Sequence, residues 1–445
     1  MPKTRQQSIK KILSINPWVT DFAFYDLWFK PVGLLYLSTI LKNYGMDVSF
    51  IDCIQKYIGK RKYGKGKIYH EEIALPEVLN KFKMRYFRYG ITENEFENKL
   101  KEIDKPDIIL ITSFMTYWYP GILLTAKTLK KYFPDTKIVL GGIYATLLPE
   151  HARALENIDY VITGNNFNSI IDSIFEVLNI RKGTFPGINT LDDLPFIDYS
   201  LYKSLDSITT VNSLGCPFRC TYCASSILYK KFQYKSSKYI NNEFKRYMAY
   251  NVSDITFYDD AFLMHPEIIK ILKILKLFPF KYHLPNGVHA KFITPRIAKL
   301  LFDAGFKTIR IGYEVYDSLL QNKMGGKVTN KILKNAIGYL NNAGYFSGEI
   351  GVYVLGGHPK IPINALENSI KYLSDMGVRI YISEYSPVPK TPDGKLYYKK
   401  ESDPLLTNNS LRRFINDKDK EKYFDLKCFI RIHNSKVAGN HPATY

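Results

Sequence analysis

Two successive series of short apolar strands, each strand followed by an amphipathic helix, constrain this 445-residue chain more than any other feature. The first series reads Lys11–Asn16, Asp47–Asp52, Asp107–Thr112, Lys137–Gly142 and Tyr160–Gly164 as strands, with helical segments at Gly33–Lys42, Pro120–Tyr132 and Pro149–Leu155. The second reads Ile208–Asn212, Asp254–Asp260, Lys281–Asn286, Thr308–Glu314, Gly348–Gly356 and Val378–Ser383 as strands. Helices fill the gaps; one starts with Thr294 as N-cap and Pro295 in the first turn. Strands that are apolar throughout belong to parallel sheets covered on both faces. The chain is therefore α/β, and its 46% apolar content supports two or three packed domains.

In such sheets ligands bind beyond the carboxyl ends of the strands. In the first series those ends carry Asn16, Thr112, Ser113, Gly141, Gly142 and Gly164, and glycine there lets a ligand approach the backbone. The second series opens with a strand that runs directly into Ser213–Ala224, where Cys216, Cys220 and Cys223 have Cys-x3-Cys-x2-Cys spacing. Three thiolates on one turn can hold three irons of a four-iron cubane and leave the fourth open to a small molecule. Zinc needs a fourth ligand, usually from a second cysteine pair, and only Cys53 and Cys428 remain. A disulfide framework does not suit a chain of this length with five cysteines.

With Tyr222 just before its last cysteine, the triplet resembles that of the radical S-adenosylmethionine (SAM) enzymes. The resemblance implies that SAM chelates the open iron of a 4Fe-4S cluster and is cleaved reductively to methionine and a 5′-deoxyadenosyl radical. It places Tyr222 beside the adenine and makes the second series a partial (βα)6 barrel. It also suggests roles for other strand ends. Asp259 and Asp260 end the second barrel strand, where the family binds the SAM amino group and lines the active site. Adjacent strand residues point to opposite faces, so only one of the two need face SAM. Glu314 ends the fourth strand and corresponds to a contact with the ribose or amino-acid part of SAM. Asn286 and Gly287 lie in a matching turn, and Gly351 and Val352 lie where the fifth strand packs on adenine. His358 falls in the layer of a substrate contact, and Ser386–Thr391 matches the loop that closes the pocket.

The first series is similar to the cobalamin-binding domain that precedes the cluster domain in one large radical SAM class. The matching segments are Pro31–Leu37, Ile111–Ser113, Pro134–Gly142, Asp159–Gly164 and the linker stretch Leu191–Phe196. Two departures stand out: the Asp-x-His-x-x-Gly signature of a histidine lower ligand is absent, and Gly164-Asn-Asn-Phe167 replaces the usual Gly-Glu-Gly-Glu. The implied organisation is a Rossmann-like, cobalamin-binding-type domain at 1–185, a linker at 186–206, the barrel at 207–400 and an extension at 401–445. Cobalamin would contact Thr112, Ser113, Gly141, Gly142 and Gly164. Tyr117, Trp118 and Tyr119 either cover the corrin or belong to the core.

Lys and Arg outnumber Asp and Glu by 62 to 42, a formal charge of +20. This suits an anionic substrate, or an acidic reductant of flavodoxin or ferredoxin type. Six basic and no acidic residues fall between Lys56 and Lys67, interrupted by glycines, which reads as a mobile loop. No run of eighteen apolar residues spans a membrane and no signal segment opens the chain, so a cytoplasmic protein is expected. In the extension, Leu411–Tyr423 reads as a helix and Phe424–His433 as a terminal strand. The reading is a radical SAM enzyme using a 4Fe-4S cluster, SAM and cobalamin, as a methyltransferase acting at an unactivated carbon. Two alternatives are a cobalamin-associated rearrangement or cyclisation without methyl transfer, and a non-catalytic basic module that binds nucleic acid or protein.

Overall fold

The computed structural model describes residues 9–180, 186–399 and 402–439, and the chain divides after Leu205 into two units. In the first unit, β1 (Lys11–Asn16), β2 (Asp47–Asp52), β3 (Ile108–Ile111), β4 (Lys137–Leu140) and β5 (Tyr160–Val161) form one parallel sheet in the order β5-β4-β3-β1-β2. Helices α1 (Val32–Asn43) and α2 (Tyr119–Tyr132) lie in the crossovers, and α3 (Phe167–Val177) follows the last strand. Leu13, Ile15, Ile109, Ile111, Ile138 and Leu140 are buried against Ile122, Ala126 and Leu129 of α2. Each such side chain contributes about 1.5–3 kcal/mol on leaving water. The strand order reverses between β1 and β3, which opens a crevice beyond Asn16 and Thr112.

The basic segment is not a loop. Tyr57–Lys62 and Lys65–Ile68 pair as an antiparallel hairpin. Tyr63 (φ 58°) and Gly64 (φ 72°) both adopt left-handed conformations, the geometry that matches a two-residue turn to the twist of its strands. Residues 186–205 pack on the same unit through Tyr202 Oη to Asp52 (2.8 Å) and the Lys42–Asp198 ion pair (2.6 Å). Tyr117 is buried, and Trp118 packs edge-on to Phe24 and Phe29 while its indole donates to Asp21 at 2.6 Å, so this patch belongs to the core.

The second unit holds six parallel strands in sequence order: β6 (Ile208–Thr210), β7 (Asp254–Phe257), β8 (Lys281–His289), β9 (Phe306–Glu314), β10 (Ile350–Gly356) and β11 (Arg379–Glu384). The intervening helices are α4 (Ser237–Tyr247), α5 (Ile268–Leu275), α6 (Pro295–Ala304), α7 (Asn330–Ala343) and α8 (Ile363–Asp375). Thr294 caps α6 by accepting from Ile297 N, and Gly305 (φ 91°) ends it. β6 and β11 remain edges, so the barrel is partial. Phe257, Tyr282 and Phe306 turn outward, Phe257 and Tyr282 meeting Phe244 of α4. Thr256, His283, Arg310, Tyr353 and Tyr381 lie on the opposite, lumen face.

The C-terminal segment is a helix, α9 (Lys420–Gly439), and not the expected strand. Tyr423 and Ile430 are buried, and with Leu426, Lys427, His433 and Asn434 they recur at helical spacing along one face. That face packs on β11, where Asn434 bonds the Ile380 backbone in both directions (2.9 and 2.8 Å). Phe424, Phe429 and Ile432, which suggested a strand, face solvent. Of the helix expected over Leu411–Tyr423 only Lys420–Tyr423, the start of α9, is α-helical; short turns precede it, with Arg412 left-handed (φ 48°).

Candidate functional site

The cysteine loop leaves β6 and is closed at its base by the short antiparallel pair Ser213–Leu214 and Gln233–Tyr234. Gly215 (φ 84°) makes the turn, and a Cβ there would meet Tyr229 Cβ at 2.9 Å and Lys231 O at 3.0 Å. Cys220 is buried, Cys216 half-buried and Cys223 exposed. The thiols sense one another electrostatically; burial raises Cys216 and pushes Cys223 up to about 11, so metal binding must displace their protons. Among the described residues no three His, Cys, Asp or Glu side chains converge as a single metal ion requires. A four-iron cubane is bulkier and takes its thiolates from separate corners, which is what a looped triplet offers.

The two aspartates divide the support of this loop. Asp259 is buried and accepts from Asn212 N (3.0 Å), Ser213 N (2.7 Å) and Ser213 Oγ (2.6 Å), fixing the loop's entry. Burial raises its carboxyl to about 6 despite these donors. Its carboxylate is thus engaged by the first residues of the loop. Asp260 accepts from Ser225 Oγ at 2.7 Å, holds the loop's exit, and is the aspartate whose charge reaches Cys216 and Cys223.

On the rim, Glu314 adopts φ 77°, and the pairing of β9 with β10 slips between Gly312 and Glu314. Such a bulge re-aims a side chain. The Glu314 carboxylate meets Lys327 Nζ at 2.7 Å, and Lys327 sits 5.9 Å over the Tyr222 ring. Lys327 is held above its ordinary pKa: burial opposes the charge, but Glu314, Cys220 and Cys223 outweigh it. The Tyr222 hydroxyl is buried beside Glu314 and Cys220 without a well-formed hydrogen bond, and burial pushes it far up. The turn Gly325–Gly326, with φ 129° and 62°, brings the Lys327 loop against the cluster loop; a Cβ on Gly325 would lie 3.2 Å from Cys220 Sγ.

Two further residues join the site without a clear signal in the sequence. Lys327 was marked only by its two preceding glycines. His289 ends β8, which extends past the expected strand end at Asn286 through a register break after Leu284. Its Nε2 lies 3.7 Å from Cys216 Sγ and its ring stacks on Phe218 at 4.4 Å, while its Nδ1 is buried without a partner. Burial lowers His289 to about 4, so the ring is neutral. Asn286 is exposed, and Gly287 (φ 86°) packs near Tyr353. Val352 is buried on the outer face, and the lumen side of Gly351 is covered by Arg310, so neither stands open to adenine as expected. His358 is not exposed; it is locked to Asp393 at 3.1 Å.

In the first unit, Thr112, Ser113, Gly141, Gly142 and Gly164 all lie at the carboxyl ends of the sheet. Ser113 Oγ is spent on Gly141 O (2.5 Å), and Gly142 (φ 97°) abuts Ser113, whose O lies 2.4 Å from where a Cβ would sit. Gly164 has nothing within 4 Å of that position, and Gly141 only Ile162 O at 3.8 Å. The result is a bare backbone floor that a large flat ring can approach. The unit's two histidines are bonded through Nδ1, His70 to Ile68 O and His151 to Tyr144 Oη.

The sequence model of the Radical SAM superfamily matches residues 213–373, and that of the B12 binding domain matches residues 78–168. The chain thus carries a radical SAM domain preceded by a B12-binding domain. It is 22% identical over 350 residues to the uncharacterized methyltransferase PH0819 of Pyrococcus horikoshii, covering 72% of this chain and 74% of that protein. It is 24% identical over 165 residues to the cytidylyl-2-hydroxyethylphosphonate methyltransferase of Streptomyces wedmorensis, covering 37% of this chain and 27% of that protein. The radical SAM methyltransferase TsrM of Kitasatospora setae, solved with cobalamin and a [4Fe-4S] cluster, superposes with a TM-score of 0.64 at 14% identity over 87% of this chain and 77% of that one. The cobalamin-dependent enzyme OxsB, solved with aqua-cobalamin and SAM, gives 0.54 at 14% identity over 91% of this chain and 56% of that one. At such identity these structures show the shared fold: a B12-binding-type parallel sheet unit followed by a radical SAM partial barrel. No helix among the described residues is long and apolar enough to cross a membrane.

Proposed function

We propose that this radical SAM protein is a cobalamin-dependent methyltransferase acting on an unactivated carbon. The observation that carries the reading is the joint placement of the cysteine triplet, Tyr222 and the Glu314–Lys327 pair at the carboxyl ends of the barrel. When bound, the cluster and SAM supply the radical chemistry and the cobalamin supplies a transferable methyl group. Cys216, Cys220 and Cys223 hold the cluster. Asp259 and Asp260 fix the two ends of their loop, and Asp260 remains the aspartate available to the SAM ammonium. Lys327 presents a desolvated cation to the SAM carboxylate, and Glu314 accepts from ribose or ammonium. Tyr222 and the Asn286–Gly287 turn flank the nucleoside. His289 shields Cys216 from water. The backbone at Thr112, Ser113, Gly141, Gly142 and Gly164 carries the corrin by shape and backbone contact, without an imidazole ligand. The similarity to methyltransferases of both known and unassigned substrate supports methyl transfer.

We read the finer features similarly. The substrate is anionic, the electron comes from a flavodoxin- or ferredoxin-type donor attracted by the +20 charge, and the protein works in the cytoplasm. The test is anaerobic purification, iron–sulfide reconstitution and addition of hydroxocobalamin, with absorbance reporting cluster and corrin separately. Retention of both, with S-adenosylhomocysteine and 5′-deoxyadenosine formed on turnover, is expected. Loss of corrin would sink methyl transfer. Deoxyadenosine without a methylated product would favour a rearrangement or cyclisation.

A further inference from the structure

Deep in the lumen, below the rim, Arg310, Gly351 and Arg379 are direct neighbours across β9, β10 and β11. They share one face. The residues on the other face, Ile309, Ile311, Val352 and Ile380, are fully packed against the helices. Those on the lumen face are different: Arg310, Tyr353, Arg379 and Tyr381 all keep partial exposure. That face is partly solvent-accessible there, and it is cationic.

Gly351 sets the arrangement. A Cβ on it would meet Arg310 Cδ and Nη1 at 2.5 Å. Arg310 therefore lies across β10, over the glycine, and its guanidinium stacks on the Tyr381 ring at 4.4 Å while Nη2 donates to Tyr381 Oη at 2.9 Å. Nη1 reaches only the Ile309 carbonyl at 3.3 Å. Tyr353 lies beside Tyr381, with ring centroids 5.8 Å apart, and is anchored by its hydroxyl to Pro285 O at 2.9 Å. Neither arginine has a carboxylate partner among the described residues. The nearby lumen carboxylates are taken: Asp254 pairs with His283 at 2.9 Å, and Glu314 with Lys327. Arg379 Nε is buried and has no acceptor. Buried donors are nearly always satisfied, so an orphan guanidinium N–H beside a second guanidinium that has no carboxylate partner points to an acceptor that arrives with a ligand.

We propose that Arg310 and Arg379, set by Gly351 and Tyr381, form a subsite for an oxyanion, a carboxylate or phospho group, of the substrate. This deepens the methyltransferase reading and rests on it for the word substrate. Arg310 precedes Glu314 by four residues, about 13 Å along the strand. An anionic end held by the arginines leaves the rest of a molecule extending up the lumen to the rim, where Glu314, Lys327 and the cysteines stand. A planar guanidinium fork suits bidentate capture of such a group. The rest of the +20 charge faces solvent for the most part, whereas these two cations point inward, where neither a membrane nor a nucleic-acid duplex reaches.

The test is calorimetric titration of the reconstituted protein with inorganic phosphate, methylphosphonate and succinate at low ionic strength. One equivalent of at least one of these binds the native protein, and the series tells phospho from carboxylate preference. Arg310→Gln and Arg379→Gln each weaken it at least tenfold. Gly351→Ala, which keeps both charges but displaces a flexible guanidinium, weakens it as well. Iron–sulfur absorbance and the melting curve of each variant report folding. No binding to the native protein, or equal binding by all three variants, overturns the subsite. Deoxyadenosine formation is followed separately, without added oxyanion: its absence alongside intact oxyanion binding would sink the enzymatic reading and leave the subsite standing.

Discussion

The Thr221 hydroxyl donates to the Asp393 carboxylate at 2.6 Å, and Asp393 N returns a hydrogen bond to Thr221 O at 3.0 Å. Thr221 lies between two of the cysteines; Asp393 lies in the short helix Pro392–Tyr397 after the last barrel strand. The same carboxylate takes Lys360 Nζ at 2.7 Å and His358 Nε2 at 3.1 Å, and it is fully buried. Burial works to raise its pKa, but Lys360, Thr221 and His358 outweigh that and hold it low. The segment that closes the barrel is thus fastened to the cluster loop. Asp393→Ala leaves the buried His358 without its partner and the partly exposed Lys360 without its counter-ion, and costs about 1–3 kcal/mol. Asp393→Asn keeps the shape and costs less. A melting point several degrees lower and a reduced iron content after reconstitution are expected for the alanine variant. A native melting curve and full iron content would show that the clamp is dispensable.

Lys327 is expected to act on SAM and not on the cluster. Its ammonium is buried against Glu314 and held charged. Lys327→Ala removes a charge-assisted hydrogen bond worth about 1.5–3 kcal/mol, so the KM for SAM in deoxyadenosine formation should rise roughly tenfold or more. The cluster absorbance should be unchanged. An unaltered KM would place the SAM carboxylate elsewhere. Lys327→Arg, which keeps the charge, should restore much of the affinity.

The floor of the first unit distinguishes two kinds of glycine. Gly142 and Gly164 both have positive φ, 97° and 88°. Around Gly142 the backbone of Ser113 blocks a Cβ at 2.4 Å, whereas Gly164 has open space. Gly142→Ala therefore combines strain with a backbone clash and should cost about 3 kcal/mol or more, while Gly164→Ala bears only the conformational cost of about 1 kcal/mol. Urea unfolding of the two variants checks the difference; equal losses would refute the packing argument. Because Gly164 faces the open floor, its alanine variant should still weaken corrin retention, read from absorbance after desalting.

What the sequence made legible was local. The cysteine triplet, the Thr294 cap and the strand series depend on neighbours in the chain, and each is read from spacing. The site's remaining members depend on contacts across the chain. Asp259 was legible only as a strand end; its three bonds to Asn212 and Ser213 reach some 46 residues back along the chain. Lys327 enters the site only because two glycines with positive φ fold its loop onto Cys220. His289 does so because β8 continues past a register break. The terminal helix was misread because exposed Phe424, Phe429 and Ile432 masked the helical spacing of Tyr423, Lys427, Ile430 and Asn434.

That helix should loosen in acid through Glu384, which is more buried than Glu367, the carboxylate that meets Lys422 at 2.6 Å. Glu384 on β11 meets Lys427 at 2.7 Å and Tyr423 Oη at 3.2 Å, both on α9, and Arg412 at 2.8 Å. Burial alone would raise its carboxyl, but Lys427 and Arg412 outweigh burial and hold it below its ordinary value of 4.5. A depressed carboxylate contributes stability that is fully present above the unfolded value and lost as pH falls through the folded one. The docking of Lys420–Gly439 should therefore be insensitive to pH from 7 down to about 5 and weaken below about 4.5. Amide exchange across 420–439, corrected for its intrinsic pH dependence, reads this directly. Glu384→Gln has no charge to lose, so its helix should exchange faster at neutral pH and show a flatter acid profile. Parallel acid profiles in the two proteins would assign the loss to other carboxylates.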